Sequence, residues 1–139
     1  MSMTGKCFLD TNFLIYCFSQ DEPEKQEKCL AFLRAGKGSV EFVSSTQVLK
    51  EFTAVMIGKF KQPPLEVKAI IDSLSLFEVV SVDLQMIKDA IDIHVLHQIS
   101  FWDSLILVAA GSAQCHTVLT EDMQHGAEVA GVRIQNPFA

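Results

Sequence analysis

The chain has 139 residues, 49% hydrophobic and 20% charged, with seven glycines, four prolines and a formal net charge of −6. These proportions exclude a disordered tail, a collagen-like repeat and a low-complexity segment, and the length suits one domain around one core. The negative balance argues against nucleic acid as a partner, because phosphate binders are usually basic.

The longest notable apolar run, residues 105–110, is far shorter than the roughly 20 residues a membrane-spanning helix needs. Asp10 interrupts the apolar stretch that follows Lys6, so no signal peptide is read there. The four cysteines, Cys7, Cys17, Cys29 and Cys115, have no C-x-x-C spacing and lie among apolar neighbours, as reduced buried thiols do. The expectation is a single soluble, cytoplasmic domain over residues 1–139 with no membrane partner.

In chain order, residues 6–10 read as a short buried strand ending in a carboxylate, and 11–18 carry helical apolar spacing. Residues 21–23 open a second helix, with Pro23 just inside and acidic residues in its first turn; Gly36 and Gly38 close it. Phe42 and Val43 form a second strand, and Ser44, Ser45 and Thr46 are N-cap candidates for a helix reaching about residue 60. Pro63 and Pro64 break the chain before a helix over 65–74 and a strand over 77–80. Asp83 is a cap for a helix whose core face is Ile87, Ala90, Ile91 and Val95, and Ser100 caps the next, which runs to about residue 113. A strand over 117–120, a short helix over 126–130 and a last strand over 132–135 complete the series. Strands alternating with helices predict a mostly parallel sheet in a three-layer α/β arrangement.

Most acidic residues here read as solvated charges, but four do not. Asp10 ends the first strand, where open α/β sheets place ligands and where a helix cap would also stand. Glu51 falls roughly 40° beyond Val55, at the edge of the apolar stripe of its helix, a position that also suits a boundary residue reaching water. Asp103 sits on a helix that is apolar on nearly every face, beside Leu107 and Ala110. An ionised carboxylate there costs several kcal/mol unless paired, and Arg34 and Arg133 are the only arginines. Its alternative is a carboxylate satisfied by the N–H groups of the helix start. Asp122 mirrors Asp10 at the end of the fourth strand, as a ligand-site acid or a second cap. Clustered carboxylates repel, and a divalent cation removes the conflict; all-oxygen ligation points to Mg²⁺ or Mn²⁺ rather than zinc. Such a site suits phosphodiester hydrolysis. Without these four acids the net charge falls from −6 to −2, which weakens the objection to a nucleic-acid substrate.

These residues resemble the PIN-domain ribonucleases, in particular the VapC toxins of toxin–antitoxin pairs. The likeness rests on Phe8-Leu9-Asp10-Thr11-Asn12-Phe13-Leu14-Ile15-Tyr16, on Glu51, on Ser100-Phe101-Trp102-Asp103, on Leu119-Thr120-Glu121-Asp122-Met123-Gln124-His125-Gly126, and on the Asn136-Pro137-Phe138 ending. It covers essentially the whole chain. The resemblance implies a five-stranded sheet of order 3-2-1-4-5 and Mg²⁺-dependent endonucleolytic cleavage of RNA, often structured RNA such as tRNA. It makes Asp10 and Asp103 the principal metal ligands. Glu51 and Asp122 would complete the site, and Thr11, Asn12, Thr120 and Glu121 would support it. It also implies a homodimer and an antitoxin that places a basic side chain near the acids. Two alternatives are a binding module of the same fold without catalysis and a haloacid-dehalogenase-like phosphatase. The latter pattern wants an acid where Asn12 stands.

Other residues carry weaker signals. His94 and His97 are three apart on one helix but read as solvated or boundary residues, His125 lies near Asp122, and Trp102 and Tyr16 read as packing. Lys50, Lys59, Lys61 and Lys68 read as a wet face rather than a phosphate patch.

Overall fold

The structure, a computed structural model, describes residues 5–139. Residues 1–4, which belong to the stretch read for a signal peptide and to the single domain expected over 1–139, lie outside the described part. The elements follow the order β1 (Gly5–Leu9), α1 (Thr11–Phe18), α2 (Pro23–Gly36), β2 (Val40–Ser45), α3 (Thr46–Gly58), α4 (Pro64–Leu74), β3 (Glu78–Val80), α5 (Leu84–His97), α6 (Phe101–Ser112), β4 (Thr117–Leu119), β5 (Glu128–Val129) and β6 (Val132–Gln135). The strands form one sheet of order β3-β2-β1-β4-β6-β5, parallel except for the last pair. The helices pack in two groups, α1 to α4 and α5 with α6, as the outer layers of an α/β/α sandwich.

The expected order 3-2-1-4-5 is found over the parallel strands, with β6 as the fifth, but the sheet has six strands rather than five. The additional one lies where a short helix was expected over 126–130. Glu128 pairs with Arg133 and Val129 with Val132, joined by Ala130 and Gly131, both at positive φ (52° and 81°). That is the left-handed two-residue turn a tight hairpin needs. Gly131 adopts it freely, whereas Ala130 hides the signal because alanine seldom does.

The caps explain where the helices begin. Asp10, Ser45, Asp83 and Ser100 each accept a hydrogen bond from a first-turn N–H of α1, α3, α5 and α6. Proline opens α2 and α4, as its fixed φ allows. The core runs through β1 (Cys7, Phe8, Leu9), Val43, Val118, Leu119, Val132 and Ile134, closed by Phe13 and Leu14 of α1, Val48, Phe52 and Met56 of α3, and the buried face of α6.

One expected core face is not buried. On α5 only Ala90 is enclosed, while Ile87, Ile91 and Val95 are 38%, 50% and 68% exposed. The helical period was legible, but of this face only Ala90 is enclosed and the stripe beside it stays bare. Among the described residues no single helix is long and apolar enough to cross a membrane. All four cysteines are buried and free, and burial pushes the Cys7 and Cys115 thiols up to about 12, where they are inert.

Candidate active site

The parallel pairing of β1 with β4 sets Leu9 against Leu119, so the residues that follow, Asp10 and Thr120, meet beyond the carboxyl ends of neighbouring strands. Chain connections diverge to either side of this pair, which makes the crevice above it the place where such sheets hold ligands. Asp10 is 6% exposed. Its Oδ1 accepts from the Thr11 N–H at 2.6 Å and its Oδ2 from the Thr120 hydroxyl at 2.6 Å. Asp10 therefore caps α1 and also lines the crevice.

Glu51 enters from α3. Its Oε2 accepts from the Thr11 hydroxyl at 2.8 Å and its Oε1 from Gln47 Nε2 at 3.2 Å. Asp103 comes from the first turn of α6, where Ser100 performs the capping by accepting from the Asp103 N–H at 3.0 Å. Its carboxyl group is thereby left to the crevice, half-buried rather than enclosed as its apolar helix suggested. Asp122, after β4, is held at the exposed rim by Asn12 Nδ2, which donates to its Oδ2 at 3.3 Å. All four acids line one cavity of about 460 Å³, with Thr11, Asn12, Gln47 and Trp102 among its walls. No lysine, arginine or histidine lines it.

Electrostatics record the crowding. Burial pushes Asp10 up to about 6, against the pull of its hydrogen bonds from Thr120 and Thr11, and the charges of Asp122 and Asp103 add to the rise. Asp103 is raised by burial and by Asp122 and Glu51, opposed by the Ser100 hydroxyl. Asp122 is raised by partial burial, then by Glu121 and Glu51. The groups thus sense one another across three elements and a loop.

Of the supporting residues expected, Thr11, Asn12 and Thr120 each touch one of the acids. Glu121 turns away: it accepts from Lys25 Nζ at 3.0 Å and from the Tyr16 hydroxyl. Lys25 also stands over the rings of Tyr16 and Phe138, so Tyr16 is part of a charge-bearing cluster rather than plain packing. Gln47 was missed. Its one sequence signal is its place one turn before Glu51 on α3. Trp102, expected to pack, is 61% exposed at the cavity wall. His125 is committed elsewhere, its Nδ1 accepting from the Asn136 N–H at 2.9 Å. His94, His97, Lys50, Lys59, Lys61 and Lys68 are exposed, as read.

The donor chemistry fits a hard dication: four carboxylates, no thiol and no imidazole. The buried Gln47 Oε1, on the wall of the same cavity, has no hydrogen-bond partner and would suit a bound water or ion. Among the described residues, however, no three His, Cys, Asp or Glu side chains are drawn together tightly enough to grip an ion as they stand.

This arrangement has a consequence for stability. Folding raises the Asp10 pKa from 3.8 to about 6, so the stability this group contributes is full below pH 4 and is lost as pH rises through 6. In the absence of divalent cations, Asp10→Asn should match wild type near pH 4 and exceed it at pH 7 by up to ~3 kcal/mol. Asparagine keeps the cap to Thr11 and needs only the Thr120 hydroxyl to turn. Millimolar Mg²⁺ at pH 7 should raise the Tm of wild type and leave the variant unmoved. Thermal melts with and without EDTA check this; a variant less stable than wild type at pH 7 without metal would count against it.

No curated protein matches the chain in sequence. Solved structures do match in fold. VapC20 of Mycobacterium tuberculosis, described as a sarcin–ricin loop cleaving toxin, superposes with a TM-score of 0.71 at 17% identity, over 91% of this chain and 98% of that one. A toxin–antitoxin complex from Klebsiella pneumoniae gives 0.71 at 19% identity, over 94% and 97%. VapBC2 from Rickettsia felis, bound to a DNA fragment from its promoter, gives 0.65 at 19% identity, over 94% and 98%. Residues 7–129 match the PIN domain, and the chain belongs to the PIN domain family.

Proposed function

We propose that this chain is a Mg²⁺- or Mn²⁺-dependent endoribonuclease, acting in the cytoplasm as the toxin of a VapBC-type toxin–antitoxin pair, with residues 1–139 as its single nuclease domain. One observation carries the reading: Asp10, Glu51, Asp103 and Asp122 converge on a cavity that contains no cationic side chain. A phosphate would be repelled from such a cavity unless a dication entered with it. When bound, the cation supplies the positive charge that offsets the phosphate and eases deprotonation of the attacking water.

The residues then have distinct tasks. Asp10 and Asp103 are the principal ligands, and Glu51 and Asp122 complete the set directly or through water. Thr11 ties Glu51 to the start of α1, and Thr120 ties Asp10 to the end of β4, so two of the acids are oriented before any ion arrives. The Lys25–Glu121 pair removes a fifth carboxylate from the crevice. The phosphatase alternative loses its support with membership of the PIN domain family.

The partners are an RNA substrate such as tRNA, a cognate antitoxin and a second copy of the chain. An apolar groove of about 440 Å³ lies along α3, lined by Leu49, Thr53, Ala54 and Ile71, and Ala54 also lines the acid cavity. An antitoxin segment anchored there needs to cross only Ala54 to lay a basic side chain among the acids. The exposed stripe of α5, Leu84, Ile87, Ile91 and Val95, suits a symmetric contact with a second copy.

Purified protein should cut RNA in Mg²⁺ and lose the activity in EDTA. Asp10→Asn and Asp103→Asn should each lower the rate by roughly 100-fold or more, beyond the usual effect of losing a residue that only supports a ligand. Cleavage that persists in EDTA or in both variants would dismiss the assignment, and a folded, metal-binding protein that cuts no RNA would favour the non-catalytic binding module. In light-scattering chromatography the wild type should elute as a dimer and Ile91→Glu as a monomer with unchanged circular dichroism; a wild-type monomer at micromolar concentration would rule out the α5 contact.

A further inference from the structure

Asp103 and Asp122 stand on the divide between two cavities. One is the acid cavity. The other, about 320 Å³, is of mixed character: Ile99 from the α5–α6 junction, Met123 from the loop after β4, Val129 of β5 and Ile134 of β6 form its apolar part, and Ser100 lies among its polar lining. Gln124 and His97, both exposed, add polar groups. Among the described residues no lysine or arginine lines this second cavity, and its only carboxylates are the two it shares with the first. A phosphate therefore finds no lysine or arginine in it. A flat group with apolar faces and a hydrogen-bonding edge finds both kinds of partner.

We propose that this second cavity is the subsite for a single nucleobase of the substrate, the one next to the phosphate held at the acids. The proposal rests on the ribonuclease reading above and extends it. Three observations support it. The cavity adjoins the acids through Asp103 and Asp122 themselves, so it lies within one nucleotide of a phosphate held between them. Its volume, at the lower end for small-ligand pockets, admits one nucleoside and not a base pair. Its lining is mixed: Met123 offers a soft, polarisable surface to a base face, and Gln124 supplies both a donor and an acceptor for the base edge.

The subsite also gives a purpose to β5, the hairpin strand that nothing in the acid site explains. Val129 on β5 and Ala127 just before it build one wall. The hairpin is fastened by the Gly126 N–H donating to the Ile134 carbonyl at 2.8 Å and the Ile134 N–H donating to the Ala127 carbonyl at 2.8 Å. A base can enter only when unstacked from its neighbours, so the nucleotide beside the cut must be unpaired.

The test couples a change in the protein to a change in the RNA. Ala127→Trp fills the cavity without disturbing the backbone bonds of the hairpin. The substrate is a short RNA with a mapped cut, made intact and with one abasic nucleotide placed in turn at each position flanking the cut. In wild type, an abasic nucleotide on one side only should raise KM by roughly 10-fold or more, the scale of losing one base contact, with kcat little changed. In Ala127→Trp the intact RNA should show a similar rise in KM, and the same abasic nucleotide should then add less than about two-fold, because both changes empty one contact. Mn²⁺ affinity should be the same in both proteins. Gln124→Ala, an exposed substitution, should alter which base is preferred at that position and serves where the tryptophan variant does not fold. The subsite is refuted if wild type cuts intact and abasic RNAs alike, or if the penalties of variant and abasic nucleotide multiply. A wild type that cuts no RNA in Mg²⁺ instead overturns the ribonuclease reading and the subsite with it.

Discussion

The pairing of two neighbouring parallel strands, Leu9 beside Leu119, is the constraint on which the site depends. It brings Asp10 and Thr120 to the same edge of the sheet from positions 110 residues apart, close enough for the Thr120 hydroxyl to donate to the carboxylate at 2.6 Å. Everything else is placed by reference to that edge. α1 starts on Asp10 and carries Thr11 to Glu51 and Asn12 to Asp122. α6 starts on Ser100, which frees Asp103 from capping its own helix.

The cost of this geometry is electrostatic. Three carboxylates have their pKa values raised by burial and by neighbouring acids, and the hydroxyl groups that touch them offset only part of the penalty. The fold tempers the penalty in one respect: Glu121, adjacent to Asp122 in sequence and still raising it, is paired outside the crevice with Lys25 and Tyr16, which Phe138 backs at 5.4 Å. A cavity kept free of cationic side chains has no internal remedy for the remaining conflict. On the proposed reading that absence is the functional feature, because it reserves the remedy for a dication that arrives with substrate.

Much of this was legible beforehand, for identifiable reasons. Caps are local chemistry, so Asp10, Ser45, Asp83 and Ser100 marked their helices within a residue. Buried parallel strands are short apolar runs bounded by turns, and the five of them stood out. The anomaly of Asp103 was visible as a charge in an apolar helix. Other features were not legible because they are tertiary. The exposure of the α5 stripe and of Trp102 depends on what the rest of the fold sets against them, which a helical period does not encode. β5 was hidden by an alanine in a left-handed turn, and Gln47 by having no chemistry of its own until Glu51 is folded beside it.

The central claim, that the four carboxylates form one hard-cation site, is tested most directly by anomalous diffraction from crystals soaked in Mn²⁺. The account predicts a manganese peak in the crevice with Asp10 and Asp103 in its coordination sphere and Glu51 and Asp122 within reach directly or through water, absent from Asp103→Asn crystals. Manganese bound only elsewhere, or a crevice left empty at millimolar Mn²⁺ and neutral pH, would contradict it.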